Sequence, residues 1–373
     1  MLNSLVAIMA LTHRERLLRV FEFKSVDRVP NYEFGYWKET IDRWHREGLP
    51  LEIKADDDVE RYLGLEGLES IERVPIVVGI WPNPLEKVLK REDDKEFVAD
   101  GLGGIFIRKK YISTIPHYIR YPIRSREDWE RIKPFFNPET PGRIPLNWND
   151  IVEIYKNRDY PLIIFVGSLY GWLRNLMGVE RISIAFYREP EWVEEMMDTI
   201  VNLSTNILRK VLRDINVDVA WFWEDMAYSK GPLLSPKLFE KFMVPRYKKI
   251  TDILREHGVN VVVVDCDGNI EQLVPGWLEA GVNCMFPLEA RYVDPYKLRE
   301  KFGKKVLLMG GVDKRALMIG EKAIDKELER LTPLLEEGGY IPTVDHRVPP
   351  EVSYQNYIYY LKKKKEWLEK HHP

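Results

Sequence analysis

The stretch Val259-Asn-Val-Val-Val-Val-Asp-Cys-Asp-Gly-Asn269 decides the fold. Its first half is an uninterrupted β-branched apolar run, the pattern of a strand buried on both faces. Its second half breaks into two carboxylates around a cysteine, then Gly268 and Asn269, which favour a turn. Asp265 and Asp267 are two apart, so on extended backbone they share one side while Cys266 takes the other. A doubly buried strand with paired polar groups at its end predicts the ligand-facing rim of an α/β protein.

Working outward, the same unit recurs. Pro161–Val166 runs into Gly167-Ser-Leu-Tyr-Gly171, and Val217–Trp223 ends in Glu224 and Asp225. Cys284–Pro287 leads to Glu289, Val306–Met309 to Gly310-Gly-Val-Asp313, and Tyr340–Val344 to Asp345 and His346. Helical patterns over 191–212, 235–256, 269–280, 295–302, 319–337 and 349–370 separate these runs, with Ser235 as N-cap ahead of Pro236. Val29–Phe34, carrying Glu33, supplies one more strand near the N-terminus. Such alternation predicts a parallel sheet with helices outside. Because no Gly-x-Gly-x-x-Gly turn follows the first strand, a (β/α)₈ barrel is the better reading than a dinucleotide-binding open sheet.

The first third differs. Thr12 with Glu15 forms a capping box for a helix to Phe21, residues 1–8 read as a flexible extension, and 37–45 resumes a helical pattern. Strand-like runs at 74–80, 103–109 and 119–123 predict an antiparallel β insertion or lid within 70–125, followed by a helix over 124–135 and an irregular connection over 137–149. The whole chain, 1–373, is expected to form one barrel domain.

Composition narrows function. A chain of 373 residues that is 45% hydrophobic and 31% charged has material for a large core, and a net charge of −3 gives no electrostatic case for nucleic acid or an anionic membrane. No apolar run reaches the ~20 residues of a membrane span. Two cysteines are too few for a disulfide framework and predict a reducing, cytoplasmic setting.

The strand ends together offer Glu33, Ser168, Tyr170, Glu224, Asp225, Asp265, Asp267, Glu289, Asp313, Asp345 and His346. Like charges in one mouth repel, so a metal, a basic substrate, protons or neighbouring Arg and Lys side chains must offset them. Singly, each has a structural alternative: Glu224 or Asp225 as a cap, Asp313 as an N-cap, Asp345 paired with Arg347. Cys266 and Cys284 read as packed thiols. No Ser/His/Asp triad context, Walker loop or His-Glu-x-x-His helix is present.

Several segments, in order along nearly the whole chain, resemble the uroporphyrinogen decarboxylase superfamily. They are Leu11–Leu17, Val26-Asp-Arg-Val-Pro30, Glu224-Asp-Met-Ala-Tyr228, Leu234–Phe239 through Pro245, Asp267-Gly-Asn269, Phe286-Pro-Leu-Glu289, Gly310-Gly-Val-Asp313 and His346–Glu351. The resemblance implies a (β/α)₈ barrel and either porphyrinogen decarboxylation or cobalamin-dependent methyl transfer. The decarboxylase's N-terminal Arg-x-x-x-Arg grip on substrate carboxylates is missing here; Asn31-Tyr-Glu-Phe-Gly-Tyr-Trp37 follows the first strand. The methyltransferases hold zinc through a His-x-Cys pair and a later Cys. The matching positions are Asp265, Asp267 and His346, a harder, oxygen-rich set, with Glu289 or Glu224 available as a fourth ligand.

The expectation is therefore a methyltransferase-like enzyme acting on a small methylated substrate. Asp265, Asp267 and His346 hold zinc or another first-row divalent metal, and Glu224, Asp267 and His346 carry the chemistry. Glu33, Ser168, Tyr170, Glu289 and Asp313 bind substrate, a corrinoid protein is the methyl partner, and a homodimer is compatible with this reading. The alternatives are a metal-independent lyase using aspartate and His346 as acid and base, and a non-catalytic small-molecule-binding relative.

Overall fold

A computed structural model describes residues 10–109 and 116–373; the extension expected at residues 1–8 lies outside them. In chain order the strands are β1 (Glu72–Arg73), β2 (Lys87–Glu92), β3 (Lys95–Ala99), β4 (Ile105–Lys109), β5 (His117–Arg120), β6 (Leu162–Gly167), β7 (Val219–Trp223), β8 (Ala227–Tyr228), β9 (Gly231–Pro232), β10 (Val261–Asp265), β11 (Cys284–Leu288), β12 (Leu307–Gly310) and β13 (Tyr340–Ile341). Seven of them form one curled parallel sheet in the order β1-β6-β7-β10-β11-β12-β13. Each strand is added beside its predecessor after a helical crossover, so every carboxyl end opens on the same side. The six strand runs read in the second half of the sequence are all present.

The N-terminal run is not the regular strand expected. Residues 29–36 contribute isolated bridges, Tyr32 to Gly67 and Tyr36 to Val348, beside the two edges of the sheet. Gly35 at φ +90° breaks the extended backbone between them. What fixes this segment is a buried ion pair. Glu33 accepts hydrogen bonds from Lys364 at 2.5 Å, the Tyr360 hydroxyl at 2.7 Å and the Val344 N–H at 3.0 Å, and neither Glu33 nor Lys364 is exposed. The closing helix, Tyr354–Lys370, supplies two of those three donors.

A four-stranded antiparallel sheet, β2-β3-β4-β5, covers part of the predicted insertion. The run at 74–80 is not in it. The adjoining β1 pairs in parallel with β6 instead, so the parallel sheet begins inside the segment assigned to the insertion. Strand β2, solvent-facing and rich in Lys, and β3, which buries only Val98, carry too little apolar alternation to announce themselves.

Among the helices, Thr12 caps His13–Phe21 with the expected box. The single helix expected over 235–256 is two, Pro236–Phe242 and Val244–Glu256, divided where Pro245 lacks the N–H that continuous winding requires. Gly320, at φ +121°, likewise separates Lys314–Ile319 from Glu321–Glu337. The 269–280 segment is helical only over Val274–Glu279. Helices Asp56–Leu63, Trp148–Tyr155 and Val179–Arg188 were not expected. Among the described residues, no helix is long and apolar enough to cross a membrane.

Candidate active site

β7 and β10 are neighbours, with Trp223 opposite Asp265 and Asp265 opposite Phe286 of β11. The Glu224 N–H extends this ladder onto the Asp265 carbonyl at 2.8 Å. Beyond that point Asp225 takes φ +44°, an uncommon backbone for a non-glycine residue. Asp225, Asp265 and Asp267 each then place a carboxylate oxygen within 4.8 Å of the other two. Asp267 Oδ2 lies 3.3 Å from His346 Nε2, while its Oδ1 is buried with no hydrogen-bond partner among the described residues. The His346 ring stacks on Trp37 and meets Phe34 edge-on. Phe34 in turn contacts Phe286, which contacts Trp221, so one aromatic wall runs beside the carboxylates.

Electrostatics at this mouth follow from burial and crowding. Desolvation, followed by the charges of Asp267 and Asp225, pushes the Asp265 carboxyl well above the ordinary aspartate range. Burial and then Asp267 also raise Asp225, with Arg174 at 3.5 Å opposing. For His346, burial alone favours the neutral ring, but the hydrogen bond and charge of Asp267 outweigh it and the pKa ends above the usual histidine value. The mouth is thus short of positive charge.

Other expected site residues have different employments. Glu224 is fully buried and accepts the N–H groups of Leu169 and Tyr170 at 2.8 Å and Gly171 at 3.2 Å. Its carboxylate therefore sits on the N-terminus of the helix Tyr170–Met177, where the helix dipole favours an anion. The Ser168 hydroxyl also faces Glu224, at 3.3 Å, and Tyr170 is buried behind it. Glu33 belongs to the buried ion pair with Lys364. Glu289 accepts the Gly268 N–H at 2.8 Å and lies 3.5 Å from Lys314, whose ammonium also reaches Asp345 at 3.3 Å; these groups brace the mouth from one side.

Asp313 caps Lys314–Ile319, accepting the Arg315 N–H at 2.9 Å and pairing with its guanidinium. Replacing Asp313 by alanine is expected to cost about 1 kcal/mol of stability, the usual loss for a helix cap, measurable by denaturant titration, and to leave ligand binding at the mouth unchanged.

The structure gathers Asp265 and Asp267 with Asp225, which had been set behind Glu224, into one carboxylate cluster; His346 lies outside that cluster and meets it only through Asp267. Alternation along an extended strand does not continue through the turned backbone at 225, so parity could not choose between Glu224 and Asp225. Neither Glu289 nor Glu224 belongs to the cluster of carboxylate oxygens within 4.8 Å of one another. Cys266, as expected, is buried, its sulfur accepting the Met226 N–H at 3.3 Å, and Cys284 lies buried at the start of β11. With no sulfur in the mouth, a thiolate-type zinc centre does not fit these donors. Three crowded carboxylates beside an imidazole, one oxygen still unpartnered, fit a hard divalent cation.

A curled parallel sheet of seven strands with polar groups gathered at its carboxyl ends defines an α/β protein; the eight-stranded closure expected from sequence is not formed among the described residues. Residues 103–367 match the sequence model of the uroporphyrinogen decarboxylase (URO-D) family, a range that includes the whole carboxylate cluster and His346. The chain belongs to the URO-D family. It is 25% identical over 246 residues to the uroporphyrinogen decarboxylase of Teredinibacter turnerae, covering 63% of this chain and 66% of that protein. It is 24% identical over 173 residues to that of Maricaulis maris, covering 46% and 48%. The chain thus spans about two thirds and about half of the lengths of these curated relatives. A solved structure of a methyltransferase from Methanosarcina mazei superposes with a TM-score of 0.58 at 17% identity over 96% of this chain and 99% of that one, a likeness of fold.

Proposed function

We propose that the protein is a methyltransferase-like enzyme in which Asp225, Asp265 and Asp267 hold a hard divalent cation at the barrel mouth, beside a small methylated substrate. The observation that carries this reading is the set of three carboxylate oxygens within 4.8 Å of one another, with Asp267 Oδ1 unpartnered among the described residues. A cation bound there would supply Lewis acidity to a substrate or acceptor atom. The chain's own groups do the rest. His346 Nε2 and Asp267 Oδ2 share a proton-bearing contact from which a proton can be given or taken, and Arg174 fixes Asp225 from the far side. Phe34, Trp37 and Trp221 form a wall that keeps water from the substrate's apolar part. In this reading a corrinoid protein serves as methyl donor or acceptor.

The same mouth disfavours porphyrinogen decarboxylation, because a tetrapyrrole bearing many carboxylates would approach a surface short of positive charge. A metal-independent lyase is the second reading, favoured by the raised Asp265 and His346, which as neutral acid and imidazolium could protonate a carbanion left by carbon dioxide.

Metal analysis of the purified protein with a manganese titration separates the two. The metal reading expects one equivalent bound and a large loss of affinity in Asp267→Ala. Undetectable binding of manganese, zinc, iron and magnesium to the wild type would remove it in favour of the lyase. Co-purification with a corrinoid protein would support methyl transfer.

A further inference from the structure

The helix Val179–Arg188 buries Ile182, Ala185 and Phe186 against the core and leaves a second stripe outside. Glu180, Ile184, Tyr187 and Arg188 follow the spacing of one helix face, and all four are exposed. Ile184 and Tyr187 are 46% and 71% exposed, so the middle of this water-facing stripe is apolar. Along the helix axis the stripe reads acid, aliphatic, aromatic, base. Neither Glu180 nor Arg188 has an ion-pair partner among the described residues. A groove of ≈ 620 Å³ runs beside the stripe, and its lining includes Ile119 of β5, Met177, Val179 and Ile184 together with Arg120, Arg124 and Arg181. Arg181 stacks on Trp192 and reaches Glu189 only at 3.8 Å.

We infer that this face joins two copies of the chain about a two-fold axis passing at Ile184. In a two-fold contact the same patch serves both sides, so if residue i meets residue j, then j meets i. Antiparallel packing of the helix on its mate sets Ile184 against the partner's Ile184 and Glu180 against the partner's Arg188. Tyr187 then falls on the partner's Arg181, which lines the partner's groove. Each copy thus offers one protruding phenol ring and one groove to receive it, with the ring face toward a guanidinium. Tyrosine and arginine anchors of this kind carry much of the binding energy of protein interfaces. A surface of single charge sign, such as an anionic membrane, would repel one end of the stripe. The stripe is complementary to its own reverse, and a second copy presents that reverse. The contact shares none of the mouth carboxylates and does not depend on what they bind.

Sedimentation velocity of the full chain over a concentration series tests this, with circular dichroism confirming that each variant is folded. The wild type should associate reversibly to a dimer. Glu180→Arg and Arg188→Glu should each weaken the dimer by about tenfold or more, since each opposes like charges at both symmetry-related contacts. The two reversals combined should restore most of the affinity, which no unrelated interface would do. Ile184→Cys should form an intermolecular disulfide on mild oxidation, because Cys266 and Cys284 are buried. Ile154→Cys, equally exposed but on the helix Trp148–Tyr155, should not. A wild type that stays monomeric at its highest soluble concentration would overturn the inference. So would a dimer indifferent to the single reversals, or a combined reversal no better than either alone. A monomer that adsorbs to vesicles of anionic lipid through Ile184 and Tyr187 would also overturn it, assigning the face to a membrane surface.

Discussion

Lys364→Ala is expected to lower the unfolding free energy by about 3–5 kcal/mol, the range for removing one partner of a fully buried ion pair. Both partners are inaccessible to water. Burial pushes the Lys364 ammonium below its ordinary pKa, and the adjoining Glu33 charge opposes that shift. Without the ammonium, the Glu33 carboxylate retains the Tyr360 hydroxyl and the Val344 N–H but no positive charge. The double variant Glu33→Gln, Lys364→Met removes both charges while keeping an acceptor for Val344, and it should recover a large part of the loss. Chemical denaturation of wild type, single and double variants measures this. A single variant as stable as wild type would mean that the pair contributes nothing, and that Glu33 is available for other work.

Asp265→Asn should have opposite effects on stability and on function. The folded pKa of Asp265 lies above its unfolded value, so the folded chain holds a proton that the unfolded chain releases. The stability linked to this group is therefore fullest at acid pH and is lost as pH rises from the ordinary aspartate range through the raised folded pKa. Asparagine abolishes that loss, so the cation-free variant should be more stable than wild type at neutral pH, where the aspartate otherwise has to carry its charge in a buried, acidic setting. Its stability should also fall less steeply with rising pH than that of wild type. Cation affinity should drop by more than the ~10–100-fold that even an indirect change around a metal costs. Thermal unfolding across pH, with and without manganese, reads both effects. A variant less stable than wild type without metal would show that the Asp265 carboxylate is compensated by a partner.

The strands that build the mouth were legible because parallel strands buried on both faces leave long β-branched runs, as in Val261–Asp265. The paired direction of Asp265 and Asp267 was legible from strand alternation alone. What was not legible depended on partners distant in sequence or on backbone that leaves the regular pattern. Glu33 reads as a polar strand end until Lys364 is found beside it, and nothing in the sequence around Glu224 announces the three N–H groups that converge on it. Asp225 reaches the cluster only through a positive φ that no composition rule predicts. Asp313 is the reverse case, since the capping alternative was plain in the sequence and the structure adopts it. In the antiparallel sheet, β4 and β5 overlap the runs expected at 103–109 and 119–123, whereas β2 is a charged, exposed strand whose backbone pairing leaves little trace in side-chain pattern.

The bond between Glu33 and Lys364 joins positions 331 residues apart. A ribosome delivers the carboxylate 331 residues ahead of its ammonium. Every strand of the parallel sheet can be laid down in order as it emerges, but the segment around Glu33 has no cation to settle against until the closing helix is made. The nascent sheet therefore carries an unsealed seam until that helix emerges, and that seam is the surface on which chaperones and proteases would act.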